Sequence, residues 1–213
     1  MKTHLINILW GLALLTACNS ETENPILTPE EQIIQETMGD FDGTVDMTSF
    51  VNDVQQSLWT VDRLDVSYSN GELVTNARFA GGSIIQRMML FPDGSGRIFH
   101  FPDYDPLKPP FYEEIEWCVS ESLPNTIELY NPRIELEAPT ANYDQHAART
   151  TLELLSYRKG LFVMKGMQPF AYWGGRTSDG IYYDYCLISG KLVTDRETIN
   201  TYLGYAAYDP DVE

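Results

Sequence analysis

Histidine and cysteine are the side chains best suited to nucleophilic catalysis in this sequence, and the chain has only three of each. His100 alternates with Ile98 in a strand-like segment, and His146 lies in the polar segment 142–146. The sequence contains no G-x-S-x-G nucleophile elbow. Because covalent catalysis needs a nucleophile, a base and an orienting group in one place, we do not expect an enzyme.

Oxygen-rich turns are the only candidates for a metal site. The segment 40–46 is spaced somewhat like a calcium-binding loop, but Gly43 comes too early for an EF-hand and Val51 stands at position twelve. The cysteines and histidines do not have zinc-ligand spacing, and no glycine-rich phosphate loop occurs. We therefore predict neither a metal nor a cofactor.

The N-terminal segment indicates export and lipid attachment. Lys2 is followed by the apolar run 5–15 and then by Leu-Thr-Ala-Cys, which ends at Cys18. This is the layout of a secretory signal, and the run is shorter than the about 20 residues of a membrane span. Leu-Thr-Ala-Cys resembles the lipobox of bacterial lipoproteins, which implies cleavage before Cys18 and a diacylglyceryl group plus an amide-linked acyl chain on it. An uncut anchor and a plain secretory signal are the alternatives.

The two remaining cysteines form a candidate disulfide. Cys118 alternates with Ile115, Trp117 and Val119, and Cys186 has the strand phase of Asp184, so both thiols are predicted on the polar faces of their strands. An exported pair meets oxidising conditions, and a bridge across this loop would stabilise the fold by roughly 4 kcal/mol. Two free thiols are the alternative.

Aromatic side chains mark a candidate ligand surface. They are dense at 170–185, where the candidate contacts are Tyr172, Trp173, Tyr183 and Tyr185. Flat rings with polar handles could stack on a sugar or line a barrel mouth, and ordinary strand packing is the alternative. Trp59 is a further candidate that could close one end of a barrel or serve as a core residue.

Charge excludes some partners. The chain has 14 basic and 31 acidic residues and a net charge of −17. A protein this acidic repels nucleic acid and anionic head groups, so neither is an expected partner.

Length and composition predict three segments, a signal peptide at 1–17, a flexible acidic tether at 18–27 and one folded domain at 28–213.

The elements that must position these residues are mostly strands. Capping patterns predict helices beginning near Thr28 and near Thr194, and apolar spacing predicts another at 47–58. Period-two patterns predict strands at 58–69, 72–79, 83–91, 95–101, 112–119, 125–130, 149–157, 160–167 and 181–189. Short Asn-Gly and Asp-Gly turns join several of them, which predicts antiparallel neighbours in a meander that closes as a barrel or a sandwich. Some strands are apolar on both faces, so their outer faces need a cover of terminal helices or a partner.

The order of these elements resembles the lipocalin-like domains of Bacteroidetes lipoproteins. The resemblance covers roughly residues 50–168, from a helix leading into Leu58-Trp59-Thr60-Val61 to the strand that contains Leu161-Phe162-Val163-Met164. The G-x-W motif of true lipocalins is not present. The resemblance implies an antiparallel up-and-down β-barrel with an interior of ligand size, and it supplies no functional residues.

Together these features predict a non-catalytic lipoprotein of the cell envelope. We expect the lipid on Cys18 to hold it at a membrane. The expected membrane is the outer membrane, and the protein could lie on its periplasmic or its surface face. The expected ligand is a small apolar or amphipathic molecule inside the barrel. The alternative is a surface interaction or glycan-binding module that uses the aromatic residues at 170–185.

Overall fold

A computed structural model describes residues 27–39, 45–67, 72–75, 87–101, 109–134, 148–166 and 184–209. The longer helices in these ranges are α1 (Pro29–Met38), α2 (Met47–Val54) and α3 (Arg196–Leu203), and residues 132–134 are also helical. The strands are β1 (Leu58–Ser67), β2 (Leu73–Thr75), β3 (Arg87–Leu90), β4 (Ser95–His100), β5 (Phe111–Val119), β6 (Thr126–Tyr130), β7 (Arg149–Arg158), β8 (Leu161–Gly166), β9 (Tyr185–Val193) and β10 (Ala206–Ala207). The predicted signal peptide, including Cys18, and nearly all of the tether lie outside the described residues.

Eight strands of the described chain close into an antiparallel up-and-down barrel. From β3 to β9 each strand pairs with the next, β3 also pairs with β1, and the β1–β9 pairing closes the ring. β2 and β3 pair with successive parts of the same edge of β1, and β10 adds in parallel to β5. The predicted mainly β barrel with short helices at both ends of the chain is confirmed.

The two ends of the barrel differ in how the strands are joined. One end, called the turn end below, has the short connections 91–94, 120–125 and 159–160. Gly94 and Gly160 have positive φ angles of 86° and 80°, which glycine adopts without a steric penalty. The other end, called the loop end, is where strands are joined by the longer segments 101–110, 131–148 and 167–184.

Helix α2 covers the turn end. Its apolar residues Phe50 and Val54 are fully buried in the same cluster as the barrel interior. The Phe50 ring meets Trp59 and Tyr157 edge-on, at centroid distances of 6.3 and 5.3 Å, and Trp59 lies 4.3 Å from Phe162. These four aromatic rings fill the interior beneath the helix, so the turn end is closed by packed side chains.

The other two helices cover outer faces of the barrel wall. Ile33 and Ile34 of α1 pack on Val163 and Leu187 of β8 and β9. α3 and the residues after it cover the outer sides of β3 and β4, in a cluster that contains Met89, Phe99, Ile199, Tyr202 and Tyr205. The predicted cover of terminal helices over strands that are apolar on both faces is therefore confirmed.

Several predicted boundaries need correction. The Thr28 capping box is present, but α3 is capped by Asp195 rather than Thr194, and α2 ends at Val54 rather than at residue 58. β9 runs through Gly190 to Val193, beyond the predicted end at residue 189. Gly190 lies inside this strand at a position with no room for a side chain, since an added Cβ would come within 2.8 Å of Phe162 Cζ and 2.0 Å of the Thr60 carbonyl oxygen.

Candidate functional site

The barrel interior changes character from one end to the other. Near the turn end, the aromatic residues below α2 line the interior. Farther along, the interior is lined by aliphatic side chains that include Ile98, Ile115, Leu129, Leu152 and Ile188. At the loop end the inward face of β5 carries Glu113, which is only 6 % exposed. A buried carboxylate is costly unless it is paired, so its neighbours identify a candidate site.

Four residues form what we call the loop-end cluster: His100, Glu113, Asn131 and Arg133. Glu113 Oε1 lies 2.5 Å from an Arg133 guanidinium nitrogen and 3.3 Å from His100 Nε2. The Asn131 side-chain amide donates to Glu113 Oε2 at 2.9 Å. Both oxygens of the buried carboxylate therefore have partners, and the cluster holds a charge pair at the rim of an apolar interior.

Asn131 also positions Arg133 within the cluster. Its Oδ1 accepts hydrogen bonds from the backbone N–H groups of Arg133, at 3.0 Å, and of Ile134, at 3.3 Å. Residues 132–134 are helical, and Pro132 stands at the first position, where its missing N–H costs nothing. An asparagine cap followed by proline thus begins a helical turn directly after β6 and directs the arginine toward Glu113.

His100 reaches the cluster from β4. Its ring stacks on Phe111 with a centroid distance of 5.0 Å and an interplanar angle of 16°. Burial lowers the pKa of His100, Arg133 lowers it further, and Glu113 acts in the opposite direction. The lowered pKa favours the neutral imidazole, and Arg133 supplies the positive charge opposite Glu113.

The C-terminal segment packs against the cluster. The backbone N–H of Tyr208 donates to the Tyr112 carbonyl oxygen at 2.8 Å, continuing the short β10–β5 pairing. The Tyr208 ring lies 4.7 Å from the Arg133 guanidinium and 5.3 Å from the Phe111 ring. Aromatic contact with a guanidinium is favourable and fixes the side chain that carries the charge.

The predicted disulfide is not formed, and the predicted face of Cys186 is wrong. Cys118 is exposed on the outer face of β5, whereas Cys186 is fully buried in the interior cluster. The two thiols are on opposite sides of the barrel wall. Cys186 donates to the Gly166 carbonyl oxygen at 3.2 Å, and burial raises the pKa of its thiol to about 12. The phase prediction failed because both faces of β9 are covered, so Asp184 just before the strand gave no information about its interior.

The candidate ligand residues fall in different places. Trp59 is 1 % exposed in the interior near α2, and its indole N–H has no acceptor among the described residues. Tyr185 lies on the outer wall, where Lys165 Nζ is 4.1 Å from its ring centroid and α1 packs beside it. Tyr172, Trp173 and Tyr183 lie outside the described residues. The structure thus does not bring Trp59 and Tyr185 into one site.

Sequence reasoning missed the loop-end cluster, although one signal was available. Glu113 has the strand phase of Ile115 and Trp117, so period two already places a carboxylate among inward apolar residues. Its partner Arg133 carries no comparable signal, because its approach depends on how the chain turns after β6.

No three His, Cys, Asp or Glu side chains within the described ranges are arranged to hold a metal ion. Of the helices described, none has the length and apolar character needed to cross a bilayer. No protein-family model matches the chain, and no curated protein matches it. Functional inference therefore depends on the geometry of the barrel and on the sequence.

Proposed function

We propose that this protein is a lipid-anchored protein of the cell envelope that binds a small amphipathic ligand inside its barrel without catalysing a reaction. The observation that carries the proposal is the division of the barrel interior. Its walls are apolar, and a buried carboxylate–guanidinium pair lies at the loop end. An amphipathic molecule has the same division, between an apolar chain and a polar head, and binding sites commonly combine apolar walls with a few convergent polar groups.

In this proposal the polar head of the ligand contacts the loop-end cluster. A guanidinium has five N–H donors in a planar fork, so Arg133 can bind an oxygen of the head group alongside Glu113. Neutral His100 offers a ring nitrogen at the same place. The apolar chain would then run between the aliphatic walls toward the closed turn end.

The anchor is proposed from the sequence. Leu-Thr-Ala-Cys at the end of a short apolar run supports lipidation of Cys18, and the order of strands supports kinship with the lipocalin-like lipoproteins of Bacteroidetes. Several acyl chains on one cysteine would hold the protein stably, whereas a single chain binds a bilayer only marginally. We propose the outer membrane as its location, with the periplasmic and surface faces as the two options.

The glycan-binding alternative receives less support. Of its four aromatic residues the structure describes Tyr185, whose ring is occupied by Lys165 on the outer wall under α1. No contact of Tyr185 favours a sugar over the packing already present, so we prefer the barrel interior as the binding site.

Ligand binding can be tested with a fluorescent long-chain fatty acid, which supplies both an apolar chain and an anionic head. Unlipidated protein that begins at Asn19 would be titrated without detergent. We expect saturable binding, and we expect Arg133→Met to weaken it about tenfold, the effect of losing one good charged contact. Arg133→Lys keeps the charge without the fork and should have an intermediate effect.

Arg158→Met is the matched control, since Arg158 is an exposed arginine at the opposite, turn end of the barrel. It should bind the probe as the wild type does. Circular dichroism must show that each variant keeps its strand content. Absence of saturable binding, or equal affinity in the Arg133→Met and Arg158→Met variants, would contradict the proposed site.

A further inference from the structure

Helix α1 determines where the N-terminal tether leaves the barrel. Near the start of the helix, Glu30 Oε1 lies 2.8 Å from Lys165 Nζ. Lys165 precedes Gly166, the last residue of β8, and its ammonium group covers the ring of Tyr185, the first residue of β9. These strand ends belong to the loop end, so α1 begins at the loop end of the barrel.

From there the helix runs toward the turn end. Ile33 and Ile34 pack on Val163 and Leu187, farther along the wall. Glu36, near the end of the helix, forms an ion pair with Arg63 of β1. Arg63 is paired in register with Ser189, which is four residues beyond the start of β9. The chain that precedes Pro29 therefore emerges at the loop end and not at the turn end.

The tether is short compared with the barrel. Leu27 follows Cys18 by nine residues. A flexible chain of that length has a root-mean-square span of about 17 Å and reaches about 30 Å only when fully extended. β1 has ten residues, which at about 3.3 Å per residue and a tilt of about 40° rise about 25 Å along the barrel axis.

These lengths favour one orientation at the membrane. If the turn end faced the bilayer, the tether would have to run nearly extended down the whole barrel wall, which restricts its conformations severely. If the loop end faces the bilayer, the tether needs no such extension. The same end carries the loop-end cluster, where the ligand head is proposed to bind.

We infer that the anchored protein holds the loop end of its barrel toward the lipid surface and its turn end away from it. The partner of the loop end is thus the bilayer that carries the lipid on Cys18, and an amphipathic ligand could pass between this bilayer and the barrel over a short distance. The inference rests on the lipid anchor of the proposed function.

The test measures which end lies near the bilayer. Full-length lipidated protein in phosphatidylcholine vesicles would carry one fluorophore, attached through Asp184→Cys at the loop end or through Ser122→Cys at the turn end. Both positions are exposed. Cys118→Ser removes the exposed native thiol, and Cys186 is buried. A nitroxide on the lipid head groups should quench the residue 184 fluorophore at least about twofold more strongly, given the tether and barrel lengths above.

A longer tether supplies the control for this inference. A Gly-Ser insertion after Ile26 that doubles the tether should relax the orientation and reduce the difference between the two positions. Equal quenching, or stronger quenching at residue 122, in protein that floats with the vesicles would overturn the orientation alone. Protein that does not float with the vesicles would overturn the anchor and this inference together.

Discussion

The turn end and the loop end of this barrel are built from different kinds of side chain. At the turn end, short connections and α2 surround a cluster of packed aromatic rings. At the loop end, a carboxylate that faces the interior is held by a guanidinium and an amide, and an imidazole lies beside it. Apolar packing stabilises a fold in proportion to the buried area, whereas a buried charge pair contributes little net stability. The comparison indicates that the turn end stabilises the barrel, and it fits our proposal that the loop end binds the polar head of a ligand.

The largest effect is expected at the turn end, where Trp59→Ala would remove the ring between α2 and Phe162. Truncating a fully buried tryptophan costs about 3–5 kcal/mol, because the lost burial is joined by a cavity that the wall cannot fill. Urea unfolding followed by circular dichroism measures the loss. Val119→Ala, at an exposed residue of the same barrel, should change the free energy of unfolding by less than about 0.5 kcal/mol.

This prediction also separates two roles for Trp59. If Trp59 is part of the packed aromatic cluster that closes the turn end, the variant loses stability whether or not a ligand is present. A Trp59→Ala protein as stable as the wild type would show that the ring contributes no packing at the turn end, and the contrast between the two ends would fail.

The sequence predicts the strands of this barrel better than the side-chain contacts inside it. Alternation of apolar residues locates the strands, and the Pro92-Asp93-Gly94 and Lys159-Gly160 turns join neighbours as expected, since both glycines adopt positive φ. These signals are local, so they need no knowledge of the fold.

Cys186 and Arg133 show why the rest could not be predicted. The face of Cys186 depends on α1 covering the other side of β9, and this helix lies far away along the chain. Arg133 reaches Glu113 only because the chain turns at Asn131 after β6. Contacts of this kind depend on tertiary geometry, and neither composition nor periodicity reports them.

A smaller loss of stability is expected where a hydrogen bond joins α2 to the barrel wall. The Tyr157 hydroxyl donates a hydrogen bond to Asp53 Oδ2 of α2, and burial together with this hydrogen bond raises the pKa of Tyr157. Tyr157→Phe should cost about 1 kcal/mol, the net value of a partly exposed hydrogen bond. Urea unfolding measures it, and in an Asp53→Ala background the same change should cost much less. Equal losses in both backgrounds would mean that the bond contributes nothing to closing the turn end.

The smallest effect is expected at the loop end, in the pH dependence contributed by His100. Burial lowers its pKa in the folded protein below the value of about 6.5 found in unfolded chains. As the pH falls below about 6.5 the unfolded chain binds the proton first, so the stability contributed by neutral His100 is complete above that pH and declines toward the folded-state pKa. His100→Gln should remove this part of the pH dependence of the free energy of unfolding. Urea unfolding of the wild type and the variant, compared between pH 7.5 and 5.5, measures the difference.

The neighbours of His100 sharpen the same prediction, because they act on its pKa in opposite directions. Arg133 lowers the pKa and Glu113 raises it, so Arg133→Met should raise the value and Glu113→Gln should lower it. Titration of the imidazole by NMR distinguishes the two variants. If neither change shifted the pKa, burial alone would account for the pKa of His100, and the loop end would not be the electrostatically coupled cluster that its geometry indicates. Opposite shifts would show that the imidazole responds to both charges of the pair, as expected if His100, Glu113 and Arg133 form one electrostatically coupled cluster.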